Sequence, residues 1–101
     1  MTIKFPDPES WHWDDVAEEV QFDVEHAPVL ENRREHVTCR ITREFIEDHL
    51  GNPKGANACL KAARRHRNLI EEHVGHYLGA GRLEPDGSLL IRSKDFIRVR
   101  E

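Results

Sequence analysis

The chain has 101 residues, of which 38% are hydrophobic and 34% are charged, and its formal net charge is -4. This length suits one domain. The composition is too apolar for a disordered chain, and no run of about 18 apolar residues is present that would span a membrane. We therefore expect a single α+β domain over residues 1–101.

The first residues and the cysteines bear on the cellular compartment. Residues 1–9 lack a basic stretch followed by an apolar one, so the sequence predicts no secretory signal. Cys39 and Cys59 lie at apolar positions of two different predicted elements. We expect a cytoplasmic protein in which both thiols are reduced and buried. A disulfide between them is the alternative, and the expected compartment argues against it.

Charge is distributed unevenly along the chain. Residues 1–50 carry 5 Lys/Arg and 13 Asp/Glu, a net charge of -8. Residues 51–101 carry 10 Lys/Arg and 6 Asp/Glu, a net charge of +4. Such asymmetry favours association of oppositely charged surfaces, including those of two copies of the chain.

The N-terminal half has the two-residue period of strands. Ile3–Phe5 is a short edge strand that ends at Pro6, and Trp11–Trp13 falls in a predicted loop. Val20–Val24 and 36–41 are strands that pair as a hairpin across a connection at 25–33, which contains Pro28 and Asn32. The side chains predicted to point inward are Val20, Phe22, Val24, Val37, Cys39 and Ile41.

At Thr42 the period changes to that of a helix. Thr42 is suited to the N-cap, and Gly51 with Pro53 ends this first helix. A second helix is predicted from Ala56 to Leu78, a length of roughly 34 Å at 1.5 Å per residue. The buried side chains predicted for the first helix are Phe45, Ile46 and Leu50, and those for the second are Cys59, Ala63, His66, Leu69, Ile70, His73, Val74 and Tyr77.

The C-terminal part is predicted to return to the sheet. Arg82–Ile91 is a tight hairpin, with Pro85 at turn position i+1 and Gly87 closing the turn. After Ser93 the tail either begins a helical turn capped by that serine or continues as a strand, because Ile97–Arg100 alternates. The order β-β-β-α-α-β predicts a two-layer α+β fold, an antiparallel sheet with two helices packed on one face.

Short pieces in this order resemble the bacterial family called domain of unknown function 1488, and the resemblance covers nearly the whole chain. It implies small stand-alone bacterial proteins with a two-layer α/β architecture, and it supplies no catalytic residue. The chain departs from the family pattern at Leu30–Arg33, where a glycine-centred turn is replaced by a longer loop. The matching pieces are Phe5–Asp7, Glu9–Trp11, Val20–Phe22, Val37–Cys39, Ile41–Glu44, His66–Arg67, Ile70–Glu71, Gly81–Ser88 and Ile91–Ser93.

No metal or catalytic motif accompanies the 7 histidines. His73 and His76 do not share one helix face, and Cys39 and Cys59 are too isolated to give a zinc spacing. We predict no metal, no cofactor and no catalytic residue. His66 and His73 lie on the predicted buried arc, where a general base and a core histidine are the two interpretations. The core role is favoured, because no nucleophile motif accompanies either residue.

Two groups of residues are candidates for binding. Lys61, Arg64 and Arg65 cluster on the exposed face of the second helix, toward its N-terminal end, which is unfavourable for the dipole of a single helix. They suit either phosphates or the acidic half of the same or another chain. The chain's pI of about 6.0 favours the second interpretation. Trp11 and Trp13 are candidates because an exposed tryptophan is enriched at interfaces.

These features predict a small non-catalytic binding or protein-interaction module that forms a homodimer with an antiparallel arrangement of its charged halves. The alternative is a nucleic-acid-associated accessory protein that uses the basic face of the second helix. A small enzyme is the least supported class, because no motif reveals its site.

Overall fold

A computed structural model describes residues 2–27 and 35–97 of the chain. Within these ranges, five strands and three α-helices form the α+β fold expected from the sequence. The predictions made at Pro28, at Leu30–Arg33 and at residues 98–100 lie outside the described residues. The elements are β1 (Thr2–Lys4), β2 (His12–Asp14), β3 (Glu19–Ala27), β4 (Glu35–Thr42), α1 (Arg43–His49), α2 (Ala56–Arg65), α3 (Arg67–Gly79) and β5 (Leu89–Ile91), with 3-10 helices at Pro8–Ser10 and Ser93–Asp95.

The predicted hairpin of β3 and β4 is confirmed and forms the centre of the sheet. Its antiparallel register runs from Glu19 opposite Thr42 to His26 opposite Glu35. Because side chains alternate between the two faces of a strand, all six side chains predicted to point inward reach the core beneath the helices.

The first correction concerns Trp11–Trp13, which was predicted as loop. Residues His12–Asp14 form β2, which pairs antiparallel with Gln21–Glu19 of β3. β1 pairs with the same edge of β3 farther along, with Ile3 opposite His26. The buried ring of Trp11 holds the chain against β3 just before β2, so the backbone of the next three residues pairs with that strand. Residues before and after the Pro8–Ser10 turn therefore share one sheet edge.

The second correction concerns the last strand. The predicted turn forms, since the Gly87 N–H donates to the Glu84 carbonyl at 2.8 Å, but Arg82–Glu84 is not a strand and no hairpin results. β5 pairs parallel with β4 instead, with Leu89 opposite Cys39. The sheet is therefore mostly antiparallel. The reason is topological. The connection between β4 and β5 contains three helices, and such a long crossover allows the second strand to run parallel to the first.

The third correction divides the long predicted helix in two. α2 ends at Arg65 and α3 begins at Arg67, with His66 between them at φ -102° and ψ 31°. His66 is consequently exposed, whereas it was predicted to be buried. The break places Arg64 and Arg65 in the last turn of α2, where a helix dipole favours cations. Glu71 lies beyond the first turn of α3, which carries no acid, so the break improves the charge order of α2 alone.

Other predicted features of the helices hold. The Thr42 side chain caps α1 by accepting from the Phe45 N–H at 3.2 Å, and His73 is buried. The tail adopts the helical alternative at Ser93–Asp95, although Arg92 occupies the N-cap and its N–H bonds to the Asp95 carboxylate at 3.1 Å. None of the helices in the described ranges is long and apolar enough to cross a bilayer.

Both cysteines are free and buried, as expected. Burial, together with the nearby Asp23 carboxylate, raises the pKa of the Cys39 thiol to about 12. A thiol in an unfolded chain has a pKa of about 8.5. Above that pH the unfolded chain therefore loses a proton that the native chain keeps, which favours unfolding.

We expect the free energy of unfolding to fall as pH rises from about 9 toward 12, with Cys39 contributing up to about 1.4 kcal/mol per pH unit. Urea titrations at several alkaline pH values measure this slope in the native chain and in Cys39→Ala. We expect Cys39→Ala to be less stable at every pH but to show a shallower slope. Equal slopes in the two proteins would contradict the assignment.

Candidate functional site

The three basic candidates on the second predicted helix take different roles. The Arg64 guanidinium points toward residues 8–11, which we call the N-terminal segment. Its Nε donates to the Pro8 carbonyl at 2.9 Å. Its Nη2 donates to the carbonyls of Glu9 at 3.1 Å and Trp11 at 3.0 Å. A charged donor shared among backbone carbonyls makes strong hydrogen bonds. Arg64 therefore anchors the chain just before β2 and is not available to a ligand.

The two tryptophans belong to the core side of the sheet. Trp11 is 1% exposed, and its ring stacks on Phe22 with 4.3 Å between ring centroids and 11° between planes. Trp13 lies opposite Val20 in the strand register, is half-buried and packs against the core. The structure thus brings both rings to the packing between β2, β3 and α2 and not to an exposed interface.

Lys61 and Arg65 remain exposed, one turn apart on α2. Within the described part of the chain, neither has an ion pair or hydrogen bond. Beside them runs a groove of about 320 Å³ between α2 and the C-terminal end of α1. We call this the cationic groove, and it is lined by Leu50, Gly51, Pro53, Ala58, Lys61, Ala62, Arg65 and His66.

The cationic groove joins two kinds of surface. Its floor includes the buried Leu50 and Ala62 side chains, which are apolar, and its rim carries two positive charges. No carboxylate lines it. Most arginines elsewhere in the described ranges are neutralised, in the pairs Arg40–Glu19, Arg43–Glu18, Arg64–Glu9, Arg82–Asp95 and Arg92–Glu84. The charges of Lys61 and Arg65 are therefore available to an external partner.

The opposite face of the sheet carries a polar cavity of about 440 Å³. Glu19 is 2% exposed there, and its Oε1 accepts from Arg40 Nε at 2.5 Å and Gln21 Nε2 at 2.8 Å. Gln21 Nε2 also donates to Asp14 at 3.0 Å. The hydrogen bond with Glu19 raises the pKa of Arg40. These groups satisfy one another, so the cavity is pre-organised but offers few free polar atoms.

A serine, a histidine and an aspartate meet where the tail packs on α1. The Ser93 hydroxyl donates to the Asp48 carboxylate, and it lies 3.3 Å from His49 Nε2. His49 Nε2 also lies 3.0 Å from the Ser93 carbonyl oxygen. A hydrolytic triad needs the carboxylate on the far nitrogen of the histidine and the serine proton directed at the near nitrogen. Here the aspartate binds the serine itself, so the cluster anchors the tail.

The histidines singled out in the sequence have structural settings. His73 Nδ1 donates to the Leu69 carbonyl at 2.8 Å, and Nε2 accepts from the Ile97 N–H at 2.9 Å. Both ring nitrogens are therefore engaged with backbone, which favours the core role for His73. Among residues 2–27 and 35–97, no group of three or more His, Cys, Asp or Glu side chains is placed to hold a metal ion.

Comparison with known proteins identifies the family. The family model described as "Protein of unknown function (DUF1488)" matches residues 3–91. The chain belongs to this family. A crystal structure of a DUF1488 protein of unknown function from Shewanella loihica PV-4 has a TM-score of 0.73 and 17% identity, over 90% of this chain and 94% of that one. At this identity the likeness shows the shared fold. No curated protein matches the chain.

DUF1488 membership confirms the resemblance inferred from the sequence and leaves the site to be argued from geometry. Sequence reasoning found the cations of the groove but missed its floor, to which Leu50, the residue that caps the C-terminus of α1, contributes together with Ala62. The glycine and proline that stop the first helix were the available signal, because a stop there turns the chain back along the next helix.

Replacement of Arg64 tests whether this residue anchors the chain before β2, in contrast to the exposed cations of α2. We expect Arg64→Ala to lower the free energy of unfolding by about 2–3 kcal/mol, because it removes charge-assisted bonds to three carbonyls. Lys61→Ala, on the same helix, should change it by less than about 0.5 kcal/mol. Urea denaturation followed by tryptophan fluorescence measures both. Equal effects would show that Arg64 does not hold the N-terminal segment.

Proposed function

We propose that this DUF1488 protein is a non-catalytic interaction module that binds an acidic polypeptide segment in the cationic groove. The observation that carries the proposal is the pair Lys61 and Arg65, exposed and without partners in the described chain, beside an apolar floor. A peptide with both acidic and apolar side chains would complement both features.

The expected affinity follows from the size of the groove. Exposed ion pairs contribute about 0.2–1 kcal/mol each, and burial of one aliphatic side chain contributes about 1.5–3 kcal/mol. Two such ion pairs and one such side chain give weak, rapidly reversible binding that decreases as salt rises. This regime suits an interaction that is made and released repeatedly.

A nucleic acid is the alternative ligand for the same surface. Arg64, one of the three cations on which that hypothesis rests, is bonded to backbone carbonyls. The remaining cations would neutralise few phosphates and release few counterions. The chain also carries a net charge of -4, which repels a polyanion at long range. These features favour a short acidic peptide over nucleic acid.

The clusters that resemble catalytic sites support a non-catalytic role. The Ser93 hydroxyl is directed at Asp48 and not at a histidine base. The Glu19 carboxylate accepts hydrogen bonds from Arg40 and Gln21. Neither arrangement leaves a nucleophile beside a free base, which covalent catalysis needs.

Binding of a fluorescent peptide tests the proposal. The probe is a short peptide of glutamates with one central leucine, measured by anisotropy at low salt. We expect Lys61→Glu combined with Arg65→Glu to weaken binding at least about tenfold, because two attractions become repulsions. The matched control is Lys4→Glu combined with Lys94→Glu. It changes the net charge equally at exposed positions outside the groove and should retain binding.

Two comparison probes decide between the ligand classes. A peptide with lysine in place of glutamate should not bind. A single-stranded oligonucleotide of equal charge should bind more weakly than the acidic peptide, because it lacks an aliphatic side chain for the floor. Loss of peptide binding in the control pair, or preference for the oligonucleotide, would contradict the proposal.

A further inference from the structure

We infer that the acidic segment received by the cationic groove is the turn between β2 and β3 of a second copy of this chain. The inference rests on the proposed function, since it names the partner of the same groove. It is carried by an almost fully exposed valine in an acidic turn, which offers an apolar side chain for the floor of the groove and a negative charge for its cationic rim.

The turn at Asp15–Glu18 presents one apolar side chain to solvent. Val16 is 96% exposed, and the other exposed large hydrophobic in the described ranges, Leu83, is 42% exposed. The Asp14 carboxylate holds the turn by accepting from the N–H groups of Val16 at 3.0 Å and Ala17 at 3.4 Å. The Glu18 N–H closes the turn on the Asp14 carbonyl at 2.8 Å. Val16 is therefore presented on an ordered turn, which lowers the entropic cost of binding.

The charges of the turn complement those of the groove. Glu18 is paired with Arg43 at 2.6 Å, which leaves Asp15 as the exposed carboxylate adjacent to Val16. Within the described part of the chain, Asp15 has no ion pair or hydrogen bond. Seated in the groove, Val16 would cover the floor at Leu50 while Asp15 faces Lys61 and Arg65.

The contact must be made between two copies. Because Val16 is almost fully exposed, the turn does not fill the groove of its own chain. Each copy carries one turn and one groove, so a two-fold arrangement would satisfy both. The surface of one turn is far smaller than that of a standard stable interface, so we expect association only at high protein concentration.

Sedimentation velocity over a wide range of protein concentration tests the inference. We expect the native chain to associate reversibly at low salt, with weaker association at high salt. Val16→Ser should lower the association constant about tenfold or more, because it removes the apolar contact. Leu83→Ser is the matched control at another exposed hydrophobic and should leave association unchanged.

A charge exchange identifies the contacting surfaces. The pair Lys61→Glu with Arg65→Glu reverses the groove, and Asp15→Lys reverses the turn. Each variant alone should remain monomeric, because like charges then face each other. A mixture of the two should associate, because each turn then meets a groove of opposite charge. Failure of the mixture to associate, when the native chain does, would overturn the inference.

The experiments separate this inference from the proposed function. If the native chain is monomeric at every concentration and salt while the glutamate peptide still binds to the groove, the second copy is not the partner and the inference fails alone. If neither the peptide nor a second copy binds, both fail. Association that persists in Val16→Ser and in the groove variant uses another surface and also contradicts the inference.

Discussion

The antiparallel pairing of β3 with β4 is the constraint on which the other packing depends. One register places Val20, Phe22 and Val24 opposite Ile41, Cys39 and Val37, and all six are buried beneath the helices. A shift by one residue would exchange the two faces and place beneath the helices the polar set that includes Glu19 and Arg40. The alternation therefore decides where the helices pack and which face of the sheet remains polar.

The break at His66 affects both the electrostatics of α2 and the lining of the candidate site. A continuous helix from Ala56 to Leu78 would carry its cations near the positive end of the dipole. Two helices instead place Arg65 at a C-terminus, where its charge is favourable. His66, at the break, also lines the cationic groove together with Lys61 and Arg65. One backbone irregularity thus relieves an electrostatic conflict in α2 and places His66 in the lining of the candidate site.

Neighbouring residues of one type acquire different roles through their tertiary contacts. Arg64 and Arg65 have the same side-chain chemistry, yet Arg64 binds three carbonyls of the N-terminal segment and Arg65 has no partner in the described chain. The direction in which each side chain leaves the helix explains the difference, since successive residues lie about 100° apart around its axis. The direction of a hydrogen bond also distinguishes Ser93, Asp48 and His49 from a catalytic triad. The Ser93 hydroxyl donates to the aspartate and not to the histidine, although both are near.

Local patterns in the sequence were sufficient to predict the strands β1, β3 and β4, the Thr42 cap, the buried thiols and the family. Each depends on interactions over a few residues or on the alternation that one buried face imposes. β2, the parallel pairing of β5, the break at His66 and the floor of the groove required the tertiary structure. In these cases the deciding contact joins residues far apart in the chain, such as Arg64 with Trp11 or Leu89 with Cys39. The local periodicity of the sequence does not indicate such contacts, because they stabilise the chain only once the distant elements have packed.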